Sequence, residues 1–256
     1  IRRWRRPGGH SQRRRRRGKS DPQDAITAAR AAQSGDAQGE AKTRDGNVEA
    51  MRVLRVARSS ARKSRTQALN QMRSIISTAP DQIRSELRDL NVYRLLERAS
   101  AYRPGARRDV ASLTKLSLRT LARRALALEA EIADIDVILK ELVHDTAPEL
   151  VARVGIGVDS ATALLVAAGD NPGRLRNEAT FAHLCGVAPI DASSGKHERH
   201  RLNRGGDRQA NSALWHIVIT RIACDARSRA SVARRLEGGK AKAAIIRSLD
   251  RYVARG

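Results

Sequence analysis

One segment of the chain repeats apolar residues at spacings that alternate between three and four positions. This repeat limits the folds that the chain can adopt. The repeat lies in a helix predicted from about Val110 to His144, and its members are Leu118, Leu121, Ala125, Leu128, Ile132, Ile135, Leu139 and Leu142. Such spacing keeps one apolar edge against a partner helix for about three and a half heptads, as in a coiled coil. The segment is therefore predicted to be a long helix with a structural role.

A second long helix is predicted earlier in the chain, from about Asn47 to Thr78. It carries a narrow stripe of apolar or small residues: Leu54, Ala57, Ala61, Ser64, Ala68, Met72 and Ile75. A shorter helix is predicted from Asp81 to Glu97. The turns between the two long helices favour an antiparallel hairpin, although so regular a seam equally allows pairing with a second subunit.

Another face of the first long helix carries four arginines, Arg52, Arg55, Arg62 and Arg65. No acid stands between Met51 and Arg65 to pair them. A run of charges is most often a solvated face, but the chain has 50 Lys and Arg against 27 Asp and Glu, a net charge of +23. The balance indicates a polyanionic partner, and the helix is interpreted as facing nucleic acid. Aromatic residues make up only 2% of the chain, so contacts to phosphates are expected to dominate over base stacking.

The first 19 residues carry ten basic side chains and no acid. They are predicted to form a mobile phosphate-binding arm, with a solubilising tail as the alternative. Asp21 and Asp24 follow, at the start of a helix predicted near Ser20 and Pro22. Because the two residues stand three positions apart, a helix would put both carboxylates on one face, where they can share a divalent cation. Acids in a first turn are common dipole partners, and the pair by itself favours that simpler interpretation.

Beyond Pro148 the sequence changes to short helices separated by glycine. Gly155 and Gly157 flank Ile156 between a short apolar helix and the small-residue helix at 161–168. This arrangement resembles a helix-hairpin-helix element, in which the second helix presents unpaired backbone N–H groups to a phosphate. An ordinary glycine-linked helix pair is the alternative.

A loop-rich stretch then concentrates serine and basic side chains. Ser193 and Ser194 precede Gly195, and the cations that can surround a phosphodiester there are Lys196, Arg199, Arg201, Arg204 and Arg208. A serine hydroxyl among guanidinium groups can act as a nucleophile, because arginine forks stabilise the extra charge of a pentacovalent transition state. His197 or His200 can accept its proton. By composition alone, a Ser-Ser-Gly sequence is more often only a turn.

The motifs together resemble the IS110 family of insertion-sequence transposases. Residues 155–255 carry G-I-G, L-C-G-V-A-P, S-S-G-K and R-L-N-R-G-G-D-R-Q-A-N, and residues 18–79 carry G-K-S-D-P-Q-D-A and R-D-G-N-V-E-A-M-R-V-L-R-V-A-R. The expected fold is mainly α. It comprises a basic arm with the remnant of a RuvC-like (RNase H-like) domain over 1–46, a helical hairpin or coiled-coil region over 47–147, and a compact helical C-terminal transposase domain over 148–256.

The resemblance also implies a chemistry and partners. Asp21 and Asp24 would be the last two acids of a DEDD site that binds Mg²⁺, and Ser194, with Ser193 as the close alternative, would attack DNA and become covalently joined to it. The first two acids of the pattern would lie upstream of Ile1, so that the chain is N-terminally truncated. DNA, a structured bridge RNA and further copies in a dimer or tetramer are the implied partners, in the bacterial cytoplasm at the nucleoid.

Within the C-terminal domain, strands are expected to be few and to lie around Val187 to Leu202. A helix from Trp215 to Cys224 and the segment from Lys240 to Ala254 are predicted to complete its core. Cys185 and Cys224 lie in apolar sequence without a CxxC pair, so both are expected to be small core residues in a reducing compartment.

Two other functions fit the same sequence. One is a non-catalytic nucleic-acid-binding protein, the remnant of a decayed transposase. The other is a coiled-coil architectural protein. No run of about 18 apolar residues occurs, so a membrane partner is not expected.

Overall fold

A computed structural model of the chain describes residues 25–26, 29–30, 33–34, 42–105, 107–175, 177–191, 200–201, 203 and 205–255. The chain divides into two compact units, Ile1–Ala41 and Lys42–Gly256. In the first unit, the described residues 25, 26, 29, 30 and 33 are helical. The predicted basic arm and the carboxylate pair Asp21 and Asp24 lie outside the described residues.

The second unit is mainly helical, as predicted. Its helices are α1 (Asn47–Ser77), α2 (Asp81–Leu87), α3 (Val92–Ser100), α4 (Val110–Thr146), α5 (Pro148–Val151), α6 (Val158–Ala168), α7 (Glu178–Leu184), α8 (Arg208–Cys224), α9 (Ala226–Glu237) and α10 (Lys242–Val253), with a 3-10 turn at Pro172–Arg174. Two short antiparallel strands, β1 (Ile190–Asp191) and β2 (His200–Arg201), pair Ile190 with Arg201 and Asp191 with His200. They lie inside the stretch where few strands were expected.

The helices α1 and α4 form an antiparallel hairpin within the chain. Side-chain contacts join Asn47 to Thr146 (Nδ2 to Oγ1, 3.2 Å), Arg58 to Asp136, and Arg65 to Glu129 (3.3 Å). As the residue number rises in α1, the partner's number falls in α4, which fixes the antiparallel direction. Four members of the predicted seam are buried: Leu118, Ala125, Ile135 and Leu139. These four positions are therefore covered by this chain itself.

Two apolar clusters lie along this hairpin. One joins the second half of α1 to α2, α3 and the first half of α4, around Met72, Ile83 and Leu96. The other joins the start of α1 and the end of α4 to α6, α7 and α8, around Met51 and Ile217. The second cluster packs the start of the long hairpin against the C-terminal helices, so the two parts share one core.

Some predicted details were wrong. The single helix expected from Asp81 to Glu97 is interrupted, because the Asn91 side chain accepts a hydrogen bond from the Arg94 N–H and starts a new helix there. Cys224 is exposed at the end of α8, whereas Cys185 is buried as expected. Helix α9 was not anticipated from the sequence. Within the described ranges, no helix is both long and apolar enough to cross a membrane.

An acid is buried in the C-terminal helices. Asp250 on α10 has a relative exposure of only 6%. Its Oδ1 atom is buried and has no hydrogen-bond partner among the residues that the structure describes. Burial raises the pKa of this carboxyl to about 6, because removing the charged form from water is costly.

Replacing Asp250 by Asn is expected to stabilise the protein at neutral pH. The folded-state pKa of about 6 lies above the unfolded value of about 3.9. Above about pH 6 the carboxyl is charged in the folded state and lowers the free energy of unfolding by its full amount. This destabilisation is lost as the pH falls from about 6 to about 4. We expect Asp250→Asn to raise the free energy of unfolding by roughly 1 kcal/mol at pH 7.5 and by almost nothing at pH 4.

Urea denaturation at the two pH values measures this difference. Asp134→Asn on the exposed surface of α4 is the matched control and should change stability little at either pH. Equal stability of the wild type and Asp250→Asn at pH 7.5 would contradict the assignment of an unpaired, charged carboxyl.

Candidate nucleic-acid interface

Two glycine motifs dock against each other on either side of the predicted serine segment. Gly186 has φ +70° and contacts Gly206 so closely that a Cβ added to Gly206 would lie 2.2 Å from the Gly186 nitrogen. The Asp207 N–H donates to the Leu184 carbonyl at 2.7 Å. The side-chain amide of Asn211 donates to the Cys185 carbonyl at 3.0 Å. The L-C-G and G-G-D sequences are thus joined through their backbones.

This docking and the β1–β2 pair hold the two ends of the serine segment together. Residues 192–199 lie between the paired strands in the sequence and outside the described residues, and they include Ser193, Ser194, Lys196 and Arg199. Arg204 also lies outside the described residues. Arg201 is described only as part of β2. Arg208 is exposed and is the first residue of α8. The Asp207 side chain caps this helix by accepting hydrogen bonds from the backbone N–H groups of Gln209 and Ala210.

The cysteine that precedes this segment has low reactivity. Burial, together with the negative charge of Asp207, raises the pKa of the Cys185 thiol to about 12. A thiol is a good nucleophile only as the thiolate. Cys185 is therefore a core residue, and it does not compete with a serine hydroxyl as nucleophile.

The four predicted arginines of α1 are not equivalent. Arg52 pairs with Glu49 at 2.7 Å, and Arg65 pairs with Glu129 at 3.3 Å. Arg55 donates to the carbonyl and carboxylate of Asp159, at 3.0 and 3.3 Å. The interval from Met51 to Arg65 indeed holds no acid, but acids from outside it reach three of the four. Arg62 is exposed and has no ion pair within the described part of the chain.

An open groove of about 1340 Å³ runs along α1 beside the starts of α6 and α8; we call it the α1 groove. Its cations are Lys42, Arg52, Arg55, Arg58, Arg62 and Lys63. Hydroxyl and amide side chains extend it along the helix: Ser59, Ser60, Thr66, Gln67, Asn70, Gln71 and Ser74. Two carboxylates, Asp159 and Asp207, also line it. A positive groove with neutral hydrogen-bonding groups suits a phosphate backbone, which it contacts without reading base sequence.

The Gly-Ile-Gly hairpin packs on α8 and has an open side. Gly155 has φ +83°, and a Cβ there would lie 2.9 Å from the Arg221 Cγ. Arg221 also donates from Nε to the Val154 carbonyl at 2.8 Å. By contrast, a Cβ on Gly157, the N-cap of α6, would meet no atom of the described residues within 4 Å. Gly155 is therefore required for packing, while Gly157 leaves space in front of the α6 N-terminus.

No metal cluster is found in the part of the chain that the structure describes, where no group of three or more His, Cys, Asp or Glu side chains converges. The carboxylates of Asp21 and Asp24 offer oxygen donors, which Mg²⁺ prefers. Their donor chemistry fits that ion, and their role as ligands stays a prediction.

Neutralising Arg62 and Lys63, two exposed cations of the α1 groove that have no ion pair among the described residues, is expected to weaken nucleic-acid binding without unfolding the protein. Arg62 and Lys63 are exposed, and removing one phosphate-binding cation reduces the slope of log affinity against log salt by about one. Arg62→Gln/Lys63→Gln should therefore lower the slope by about two. The exposed pair Arg107→Gln/Arg108→Gln, outside the groove, is the control. Fluorescence anisotropy with a labelled duplex measures both slopes, and an equal decrease in the two variants would exclude the groove.

Comparison with known proteins identifies the C-terminal part. Residues 149–233, from α5 into α9, match the Transposase IS116/IS110/IS902 family. Over these residues the chain is similar to that family, and the match confirms the resemblance to the IS110 family drawn from the motifs.

A curated relative supports the same assignment. The insertion element IS110 uncharacterized 43.6 kDa protein of Streptomyces coelicolor is 33% identical over 126 residues. The similarity spans 48% of this chain and 29% of the relative's length. The relation therefore concerns a part of that longer protein.

Proposed function

We propose that this chain belongs to the catalytic protein of an insertion sequence, which cuts and rejoins DNA through a serine nucleophile. Ser194 is the proposed nucleophile, with Ser193 as the alternative, and Asp21 and Asp24 are proposed ligands of Mg²⁺. The observation that carries the proposal is the family match over residues 149–233. That range includes the Ser-Ser-Gly sequence, the paired strands and both docked glycine motifs.

The proposed reaction exchanges one phosphoester for another. The serine Oγ bonds to phosphorus while the bond from phosphorus to a deoxyribose oxygen breaks, and His197 or His200 accepts the serine proton. The departing oxygen takes up a proton, and a hydroxyl of the second DNA strand later displaces the serine. The guanidinium groups proposed to stabilise the additional negative charge at phosphorus are those of Arg199, Arg201, Arg204 and Arg208. Bound Mg²⁺ would supply further charge neutralisation at the phosphate.

The α1 groove supports a binding role in this reaction. Its cations and neutral amides suit a backbone of either DNA or RNA and carry no base-specific pattern. Selection of a DNA site would then depend on base pairing, which agrees with a structured bridge RNA as the proposed guide. Assembly as a dimer or tetramer around two DNA molecules is part of the same proposal.

The metal requirement provides the test of the proposed function. In protein that carries all four acids of the DEDD pattern, we expect Mg²⁺ to produce a covalent protein–DNA adduct with DNA containing an insertion-sequence end. Chelation by EDTA should abolish the adduct while leaving most DNA binding, because groove contacts need no metal. The double variant Asp21→Asn/Asp24→Asn should likewise form no adduct and should keep most DNA binding. DNA binding without an adduct in any divalent metal would instead support the non-catalytic binding protein.

A further inference from the structure

A second groove, of about 760 Å³, lies among α8, α9 and α10 beside the Gly-Ile-Gly hairpin; we call it the α9 groove. It shares no lining residue with the α1 groove. The hairpin reaches it through Val154, which is 58% exposed. Neither the motifs nor the proposed reaction assigns this groove a role, and the helix on which it is centred was not anticipated from the sequence.

Four arginines line the α9 groove: Arg221, Arg227, Arg234 and Arg235. Within the residues that the structure describes, none of the four forms an ion pair. The α1 groove differs, because carboxylates pair three of its arginines: Arg52, Arg55 and Arg58. A concave surface lined by charges of one sign attracts a partner of the opposite sign, so the α9 groove favours a polyanion.

One carboxylate stands among the described residues of this lining, and it is held in a helix cap. Asp225 accepts hydrogen bonds at Oδ2 from the backbone N–H and the hydroxyl of Ser228, at 2.8 and 2.6 Å. The hydroxyl of Ser231 adds a neutral donor to the lining. Guanidinium and hydroxyl groups are the donors that proteins use for phosphate oxygens.

Two of the four guanidinium groups are already positioned by the protein. Arg221 donates from Nε to the Val154 carbonyl at 2.8 Å. Arg235 donates from Nη1 to the Ser248 hydroxyl at 2.9 Å and lies 5.6 Å from the centre of the Tyr252 ring. Because a guanidinium has five N–H donors, each can keep these contacts and still bind a phosphate. Side chains positioned in advance lose less conformational entropy when a ligand binds.

The other two arginines indicate a ligand with a row of phosphates. Arg227 and Arg234 are exposed and stand seven residues apart on α9, a separation of two turns or about 10 Å along the helix. Two cations so far apart contact different phosphates instead of enclosing one. The aromatic ring in the lining, Tyr252, already has a cation over it, and stacking of unpaired bases needs open ring faces. The lining therefore suits the backbone of a double helix.

We propose that the α9 groove is a second nucleic-acid site, which binds the phosphate backbone of a duplex independently of the α1 groove. Arg227 and Arg234 contact separate phosphates, and the half-buried Arg221 and Arg235 bind the same backbone from the walls of the groove. A duplex of DNA and a duplex of RNA offer this chemistry alike. That the chain uses the two grooves for two nucleic acids of one reaction rests on the proposed function.

Modification of arginine by phenylglyoxal in the full chain tests the proposal, with peptide mass spectrometry giving a rate for each side chain. A saturating DNA or RNA duplex should slow modification of Arg227 and Arg234 by about fivefold or more, because a bound phosphate occupies their donors. Arg229, exposed on α9 but outside the groove, is the matched control and should react at its unliganded rate. The duplex that protects at the lower concentration identifies the source of the backbone.

Two results of this experiment would overturn the assignment. One is that neither duplex protects Arg227 and Arg234. The other is equal protection by polyglutamate at the same concentration of charge, which would make the groove a site for acidic polypeptides.

Variants of the two grooves test whether the sites are separate. In Arg62→Gln/Lys63→Gln, the duplex should still protect Arg227 and Arg234. In Arg227→Gln/Arg234→Gln, it should still protect Arg62. Loss of protection at Arg227 in the α1 groove variant would make the two grooves one site and contradict the proposal.

The conditions separate this inference from the proposed function. All protection measurements are made in EDTA, where no metal-dependent adduct forms. Failure to find an adduct in Mg²⁺ would therefore count against the proposed function alone. Unprotected arginines in the α9 groove of a protein that still forms the adduct would count against this inference alone.

Discussion

Ser194→Ala is expected to abolish covalent joining of the protein to DNA, reducing it by about 10³-fold or more. The reason is that the proposed intermediate requires a bond from the serine oxygen to phosphorus, and alanine has no atom that can form it. Neighbouring Cys185 cannot substitute, because burial keeps its thiol protonated by raising the pKa. DNA binding should remain, since the variant leaves the cations of the α1 groove in place.

Ser193→Ala is the matched control, one residue away in the same Ser-Ser-Gly sequence. It should retain most of the adduct. An adduct that persists in Ser194→Ala but disappears in Ser193→Ala would move the nucleophile by one position. An adduct that persists in the double variant would remove both serines from the reaction.

Gly206→Ala is expected to cause the largest decrease in stability. Its Cβ would lie 2.2 Å from the nitrogen and 2.4 Å from the Cα of Gly186, and 2.9 Å from the carbonyl carbon of Cys185. All three are backbone atoms in a docked turn, so no side-chain rotation relieves the clash. We expect the free energy of unfolding to fall by roughly 3 kcal/mol or more, as for severe overpacking.

Gly205→Ala is the control for this effect, since its Cβ would lie 3.4 Å from the Asn203 Oδ1 atom. It should cost much less in urea denaturation. If Gly206→Ala matches Gly205→Ala in stability, the close contact of the two glycine motifs is wrong. If Gly206→Ala folds but forms no adduct, the docking also positions the strands that hold the serine segment.

The long helices could be predicted from the sequence because apolar periodicity is a local property. The bounds of α1 and α4 agree with the predictions to within about two residues, the accuracy expected of helix ends. The break between α2 and α3 was missed because the Asn91 cap outweighed a continuous pattern. The apolar pattern did not determine which helix covers the α4 seam, because that depends on the direction of the turns between α1 and α4.

The candidate site was less accessible to sequence reasoning. The pairing of Arg55 with Asp159 joins residues 104 positions apart, and no local spacing reveals it. The docking of Gly206 on Gly186 is likewise a long-range contact, although both glycines stand in the motifs that carry the resemblance. Asp250 stands in a segment that the sequence predicts only as part of the core, and the structure shows it as a buried acid whose Oδ1 atom has no hydrogen-bond partner among the described residues.

Identification of the DNA-linked residue tests the central claim most directly. The adduct formed in Mg²⁺ by protein carrying all four acids would be digested with nuclease and protease, and the modified peptide sequenced by mass spectrometry. The proposed mechanism predicts a nucleotide phosphate esterified to the Ser194 oxygen. A nucleotide attached to a residue outside the Ser193–Ser194 pair, or cleaved DNA with no linked peptide, would contradict it.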